Sequence, residues 1–260
     1  MERQWVLVTG ASEGIGRAFA ELAAGKGFDL ILVARGREKL EEVASVVRGM
    51  GREAEVIAAD LSVPAEVERA WGEASAGRRI GWLINNAGLG SHGKFANPDH
   101  WARERLSLDV NIDALTRLMK LALPHMEGAG GGRIINVASN AAFMPGPGMA
   151  VYHASKSYVL SLSQAVADEM RNRGVSVTAL CPGPTQTAFF DSAGIGDLPV
   201  VKRIPMPTPD AVAQAGWDAA MDGKRVIVPG FINQVMAFST RITPPGLLLA
   251  ITRRFWARSK

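Results

Sequence analysis

Cysteine is almost missing from this sequence: Cys181 is the single one in 260 residues. One thiol excludes an internal disulfide framework and a multi-cysteine zinc site, and it fits a reducing compartment. Tyrosine occurs only twice and histidine four times. The longest apolar run near the end, residues 247–251, is too short to span a bilayer. No secretory leader is expected, because the apolar run at 5–8 is too short for one. Acidic residues are absent from 223–260, where seven basic ones stand: Lys224, Arg225, Arg241, Arg253, Arg254, Arg258 and Lys260. The whole chain has 29 Lys and Arg against 25 Asp and Glu, a net of +4. Residues 1–222 therefore hold 22 basic and 25 acidic residues, a net of −3. A nucleic-acid binder would carry its positive charge on the body of the fold, so that class is disfavoured. These absences predict a cytoplasmic protein without a metal site.

What is present suits a globular chain. Apolar residues make up 47% and charged ones 21%, which excludes disorder and leaves enough apolar mass for a sizeable core. Short runs of Val, Ile and Leu at 5–8, 30–33, 54–58, 80–84, 133–137, 175–180 and 225–228 read as strands. Between them, 14–26, 38–48, 64–73, 98–125, 152–171 and 209–221 read as helices, with Ser62 and Pro64 suiting the start of the third. Strands of continuous apolar residues alternating with helices indicate a parallel sheet covered on both faces. Right-handed crossovers then predict an α/β fold: a single-domain, Rossmann-type doubly wound sheet of about seven strands, with a C-terminal helical extension. The expected division is a domain over 1–230 and an extension over 231–260.

Directly after the first strand stands Thr9-Gly10-Ala11-Ser12-Glu13-Gly14-Ile15-Gly16. Glycines between a strand and a helix allow a tight turn and close backbone approach, and the helix N-terminus aims free N–H groups at a pyrophosphate. The same loop would also serve plain packing. The second strand ends Val33-Ala34-Arg35, where an acid would bind a ribose 2′-hydroxyl and an arginine accepts a 2′-phosphate. Arg35 therefore favours NADP(H) over NAD(H), although Glu13 puts negative charge into the loop.

Tyr152 and Lys156 stand four apart on a predicted helix and share a face. A neighbouring ammonium favours the phenolate, lowering the tyrosine pKa towards a usable acid or base. Ser139 follows the fifth strand, at the carboxyl end where ligands bind in such sheets. The four histidines and Cys181 read as packing or surface residues.

These pieces together resemble a single-domain short-chain dehydrogenase/reductase. The matching segments run in family order: TGASEGIG (9–16), Asp60-Leu61, Asn85-Asn86-Ala87-Gly88, Asn111, Ser139, YHASK (152–156) and Pro182-Gly183-Pro184-Thr185-Gln186-Thr187. The resemblance implies a catalytic set of Asn111, Ser139, Tyr152 and Lys156. Tyr152 would exchange a proton with the substrate oxygen, Ser139 would hydrogen-bond that oxygen, and Lys156 would hold the nicotinamide ribose and lower the tyrosine pKa. Asn111 would position water in a proton relay ending at Lys156. Gly10, Ser12, Gly14, Ile15 and Gly16, with Arg35, would hold the phosphates. Asp60 would bind the adenine amino group beside Leu61, and Asn86 would line the adenosine ribose, with Ala87 and Gly88 among the contacts. Pro182, Gly183, Thr185 and Thr187 would cradle the nicotinamide. A carbonyl or alcohol substrate and a homodimer or homotetramer are also implied. A non-catalytic NADP(H) sensor and a membrane-associated lipid ketoreductase are the alternatives; the intact catalytic set argues against the sensor.

Two loops are expected to shape the substrate pocket. One carries Phe143, Met144 and Met149; the other carries Phe189, Phe190, Ile195, Leu198, Val200, Val201, Ile204 and Met206. Their apolar content suits a hydrophobic ketone and equally suits packing of the loops on the sheet. In the tail, a helical wheel from Leu247 puts Leu248, Leu249, Ile251, Phe255 and Trp256 on one arc, with Arg253, Arg254 and Lys260 opposite. Such a basic amphipathic helix suits an anionic membrane, but packing on its own domain or on another subunit is the expected arrangement.

Overall fold

The computed structural model describes residues 4–197 and 205–255. Seven parallel strands form one sheet in the order β3-β2-β1-β4-β5-β6-β7. They are β1 (Gln4–Thr9), β2 (Asp29–Ala34), β3 (Ala54–Ala58), β4 (Arg79–Asn85), β5 (Gly132–Val137), β6 (Val175–Leu180) and β7 (Val226–Ile227). The order reverses between β1 and β4, so a crevice opens at their carboxyl ends.

Alternation along β1 shows why the strands read as apolar throughout. Trp5 and Leu7 enter the core on one face, and Val6 and Val8 enter the core on the other. Helices α1 (Gly14–Gly25), α2 (Arg37–Gly49) and α8 (Pro209–Met221) cover the Val6–Val8 face. There Trp82 stacks on Trp217 with centroids 4.0 Å apart. The opposite face is covered by α3 (Pro64–Ser75), α5 (Leu115–Gly128) and α6 (Ala150–Glu169).

The predicted helix over 98–125 is broken into unlike turns. A 3-10 turn, Pro98–His100, leads into α4 (Trp101–Leu108), then a π-helical segment, Asp109–Ala114, and then α5. Sequence periodicity does not show where a helix widens. At the start of α3 the preceding residue is Val63, with no side-chain cap, because Ser62 is drawn back to Asp60. Two elements were not expected, a 3-10 turn Asn140–Phe143 and a short helix α7 (Phe189–Ser192), and the expected helical extension begins with α9 (Phe231–Ser239).

The expected tail helix forms as α10 (Pro245–Phe255), but its buried side differs from the wheel. Thr252 is buried and Leu248 and Leu249 are half-buried, whereas Leu247 and Ile251 face outward. The narrow strip that meets the body is centred on 248, 249 and 252. The wheel residue Trp256, with Arg258 and Lys260, lies outside the described residues.

Candidate active site

The glycine loop is closed from below by a residue that sequence reasoning passed over. Thr9, the last residue of β1, accepts at its Oγ1 from the N–H groups of Asn86 and Ala87, both at 3.0 Å. Asn86 returns the contact: its Nδ2 donates to the carbonyls of Thr9 and Gly10, at 3.0 and 3.2 Å. The Asn86 amide thus clamps the loop. Gly10 and Gly14 hold φ of 63° and 58°, a region that favours glycine. A Cβ on Gly14 would stand 3.0 Å from Thr187 Cγ2, so the loop after β6 closes over the glycine loop.

The residues expected on the adenosine side come from strand ends. Arg35 and Asp60 follow β2 and β3, whose last residues Ala34 and Ala58 are register partners. Asp60 Oδ1 accepts from the N–H and hydroxyl of Ser62, at 3.0 and 2.8 Å. The Ser62 N–H does most to hold its carboxyl below the ordinary value, with help from the Ser62 hydroxyl and the charge of Arg35. Glu13, the negative charge in the loop, is matched by Lys39, whose Nζ lies 3.1 Å from its Oε2.

Ser139 leaves β5 in extended conformation and caps the turn Asn140–Phe143, its Oγ accepting from the Ala141 N–H at 3.1 Å. Tyr152 and Lys156 lie buried in the first two turns of α6, with Lys156 Nζ 5.9 Å from the centre of the Tyr152 ring. Lys156 donates to the Val137 carbonyl at 2.8 Å. Asn111 sits in the π-helical segment, a feature that often marks functional sites. Its amide is spoken for: Oδ1 accepts from Leu89 N–H at 2.8 Å, while Nδ2 donates to Leu89 O and Ser155 Oγ at 2.9 and 3.0 Å. Ser155 in turn donates to the Tyr152 carbonyl at 2.8 Å. Asn111 is therefore tied to the tyrosine's backbone through Ser155, a residue that only its place inside YHASK could have flagged. Gly88 lies where these parts meet, and a Cβ there would be 3.2 Å from Lys156 Nζ and 3.3 Å from Asn111 Oδ1.

The electrostatics differ from the expectation of a lowered tyrosine pKa. Burial pushes Tyr152 up to about 12, opposed by the Ser139 hydroxyl. Burial also draws Lys156 down to about 8, because an ammonium loses hydration there. In the protein without ligands, the Tyr152 hydroxyl keeps its proton across the physiological range. Burial likewise holds Cys181 as a neutral thiol, pushed up to about 12.

The apolar surroundings of Tyr152 are Ala141, Met149, Ala193 and Ile195, with Phe189 and Phe190 against them. The Phe189 ring lies 5.2 Å from the Tyr152 ring. Phe143 packs instead against the core beneath α6. Leu198, Val200, Val201 and Ile204 lie outside the described residues. A separate groove of about 450 Å³ opens between Leu249 and the 144–147 loop, on the His153 and Ala154 side of α6. None of Ser139, Tyr152 or Lys156 lines it.

The residues fit a nicotinamide dinucleotide. The cradle is formed by backbone at Gly10, Gly14 and Gly88, where a side chain would intrude. Of the three ammonium hydrogens on Lys156, one is bound to Val137 among the described residues, which leaves two for ribose hydroxyls. Thr185, donating to Gly183 O at 3.0 Å, and Pro182, accepting from Asn140 N–H at 2.8 Å, tie down the loop after β6, where the nicotinamide is expected.

Residues 4–195 match the family model described as short chain dehydrogenase. The chain belongs to this family of oxidoreductases. It is 35% identical over 193 residues to human (Homo sapiens) 17-beta-hydroxysteroid dehydrogenase type 3, a match covering 72% of this chain and 60% of that protein. It is also 32% identical over 185 residues to "Inactive hydroxysteroid dehydrogenase-like protein 1" of Homo sapiens, covering 69% of this chain and 55% of that protein. The chain thus matches little more than half the length of these relatives. Among solved structures, a short-chain dehydrogenase from Sphingobium yanoikuyae in complex with NADPH is similar, with 33% identity, a TM-score of 0.81 and 94% of each chain covered.

Proposed function

We propose that this protein is an NADP(H)-preferring oxidoreductase that interconverts a hydrophobic ketone or aldehyde and its alcohol. The observation that carries the reading is the meeting of Ser139, Tyr152 and Lys156, braced by Asn111, beside a cradle of bare backbone. When bound, the nicotinamide supplies or accepts the hydride. Tyr152 gives its proton to the substrate oxygen during reduction. Ser139 donates a hydrogen bond to the same oxygen as negative charge grows on it. Lys156 holds ribose hydroxyls, and its charge favours the phenolate left after proton transfer. Asn111 ties the backbone of Leu89 to Ser155 in α6, and the Val137 carbonyl holds Lys156.

Arg35 at the end of β2 supports a 2′-phosphate, and the Lys39–Glu13 pair removes the objection that Glu13 would repel one. The apolar ring around Tyr152 supports a hydrophobic substrate, as does the hydroxysteroid named in the human relative. Trp101, Leu106 and Tyr158 stay exposed on α4 and α6 and support a homo-oligomer built on those helices. A cytoplasmic location is part of the same reading. The inactive human relative keeps a non-catalytic dinucleotide binder in view; the complete catalytic set here favours catalysis.

The test is consumption of NADPH and NADH against ketones graded in size and polarity. Turnover is expected to rise with apolar bulk and to be faster with NADPH at low cofactor concentration. No turnover of any ketone would overturn the catalytic reading, and tighter binding of NADH would overturn the argument from Arg35.

The pH profile gives an independent check. Lys156 carries its charge below about 8 and loses it above. The kcat/KM for reduction is expected to be level at lower pH and to fall as pH rises through that value. A profile that stays level well above it would remove Lys156 from the mechanism.

A further inference from the structure

The helix α9 is turned inside out. Its side towards the body carries the half-buried Asn233 and the buried Ala237. Phe231, Val235 and Phe238 form an outward stripe at helical spacing, with Ile232 beside them. Phe231 is 79% exposed, Ile232 71% and Phe238 61%. Further along the chain Ile242 is 74% exposed, and Leu247 and Ile251 of α10 also face outward. Large apolar side chains gathered on one exposed helix face mark an interaction site.

Its charge selects the partner. No acid occurs in 223–260. Arg241, Arg253 and Arg254 are exposed, and among the described residues they form no ion pair. A symmetric pairing of two copies through this face would set arginines against arginines. An anionic lipid surface offers both requirements, an acyl region for the stripe and negative headgroups for the arginines. No described helix is long and apolar enough to cross a membrane, so contact would be with the surface.

We propose that the outward faces of α9 and α10 dock this protein on anionic bilayers. Two such helices anchor more firmly than one short amphipathic helix would. Docking also has a place beside the chemistry. A Cβ on Gly183 would collide with Asn233, so α9 lies directly against the proposed nicotinamide wall.

The experiment is co-sedimentation of the full chain with vesicles of phosphatidylcholine alone and of phosphatidylcholine mixed with phosphatidylglycerol. Binding to the mixed vesicles is expected, and it should weaken as salt screens the headgroups. The combined variant Phe231→Ser, Ile232→Ser, Phe238→Ser should stay in the supernatant. Arg253→Gln with Arg254→Gln should weaken binding to the mixed vesicles by about fivefold per arginine. Both variants should keep the wild-type melting temperature and turnover of a water-soluble ketone. Wild-type protein that ignores both vesicles, or a serine variant that still binds, would overturn the proposal. So would an oligomer in solution that the serine variant dissociates without any vesicle binding by the wild type, which would make the face a contact between copies.

Discussion

Tyr152→Phe is expected to lower turnover by about 10²–10⁴-fold, the usual contribution of a positioned proton donor. The substitution removes one oxygen and keeps the ring. Contacts with Met149 and Phe189 therefore persist, and so does the covering of Lys156. Cofactor affinity should be unchanged, because the phosphate cradle and the Lys156 ammonium are untouched. The lost hydroxyl is a neutral donor, held at a pKa of about 12 by burial, and no other phenol is near enough to replace it: Tyr158 is turned to Thr116 on the exposed side of α6. Stopped-flow hydride transfer and NADPH titration of the same preparation separate the two effects. Full turnover by the variant would sink the mechanism.

Gly16→Ala is expected to weaken dinucleotide binding by about 5- to 150-fold, the equivalent of an overpacking cost of about 1–3 kcal/mol. The added carbon would overlap the Gly10 carbonyl and stand 2.5 Å from Asn86 Nδ2. The carbonyl is backbone and cannot rotate aside, so the loop itself has to move and its N–H groups lose their common aim. Gly25→Ala, at the other end of α1 with nothing within 4 Å, is the control and should bind normally. NADPH fluorescence titration reads both. Equal affinity for Gly16→Ala and wild type would show that the loop is not the phosphate cradle.

The sheet was legible because its central strands are apolar on both faces, as a doubly covered sheet requires. The glycine loop and Tyr152–Lys156 pair were legible for a similar reason, since their spacing follows from local backbone geometry. Thr9 was not, because its role arises from residues far along the chain. Nor was the protonated state of Tyr152: a motif gives neighbours, while pKa follows burial, which depends on Met149, Ala193 and Ile195 folding over the ring. Phe143 and Phe189 look alike as loop aromatics, yet one packs into the core and the other onto the tyrosine. The tail misled in the opposite sense. Its wheel, begun at Leu247, set one apolar arc towards the body, and in α10 Leu247 and Ile251 of that arc face away.

The clamp between Thr9 and Asn86 joins residues 77 apart. On a ribosome, β1 emerges early and can pair with β2 as soon as that strand follows. Its other edge stays open until β4 has been made, so a central strand of Val and Leu spends most of that interval half-paired. Exposed apolar edges of this kind are where nascent chains aggregate. That edge closes only once residue 86 is out, and the dinucleotide cradle, which also draws on Gly88, Lys156 and Thr187, is completed later still, so the cofactor cannot assist folding at the stage when the edge is open.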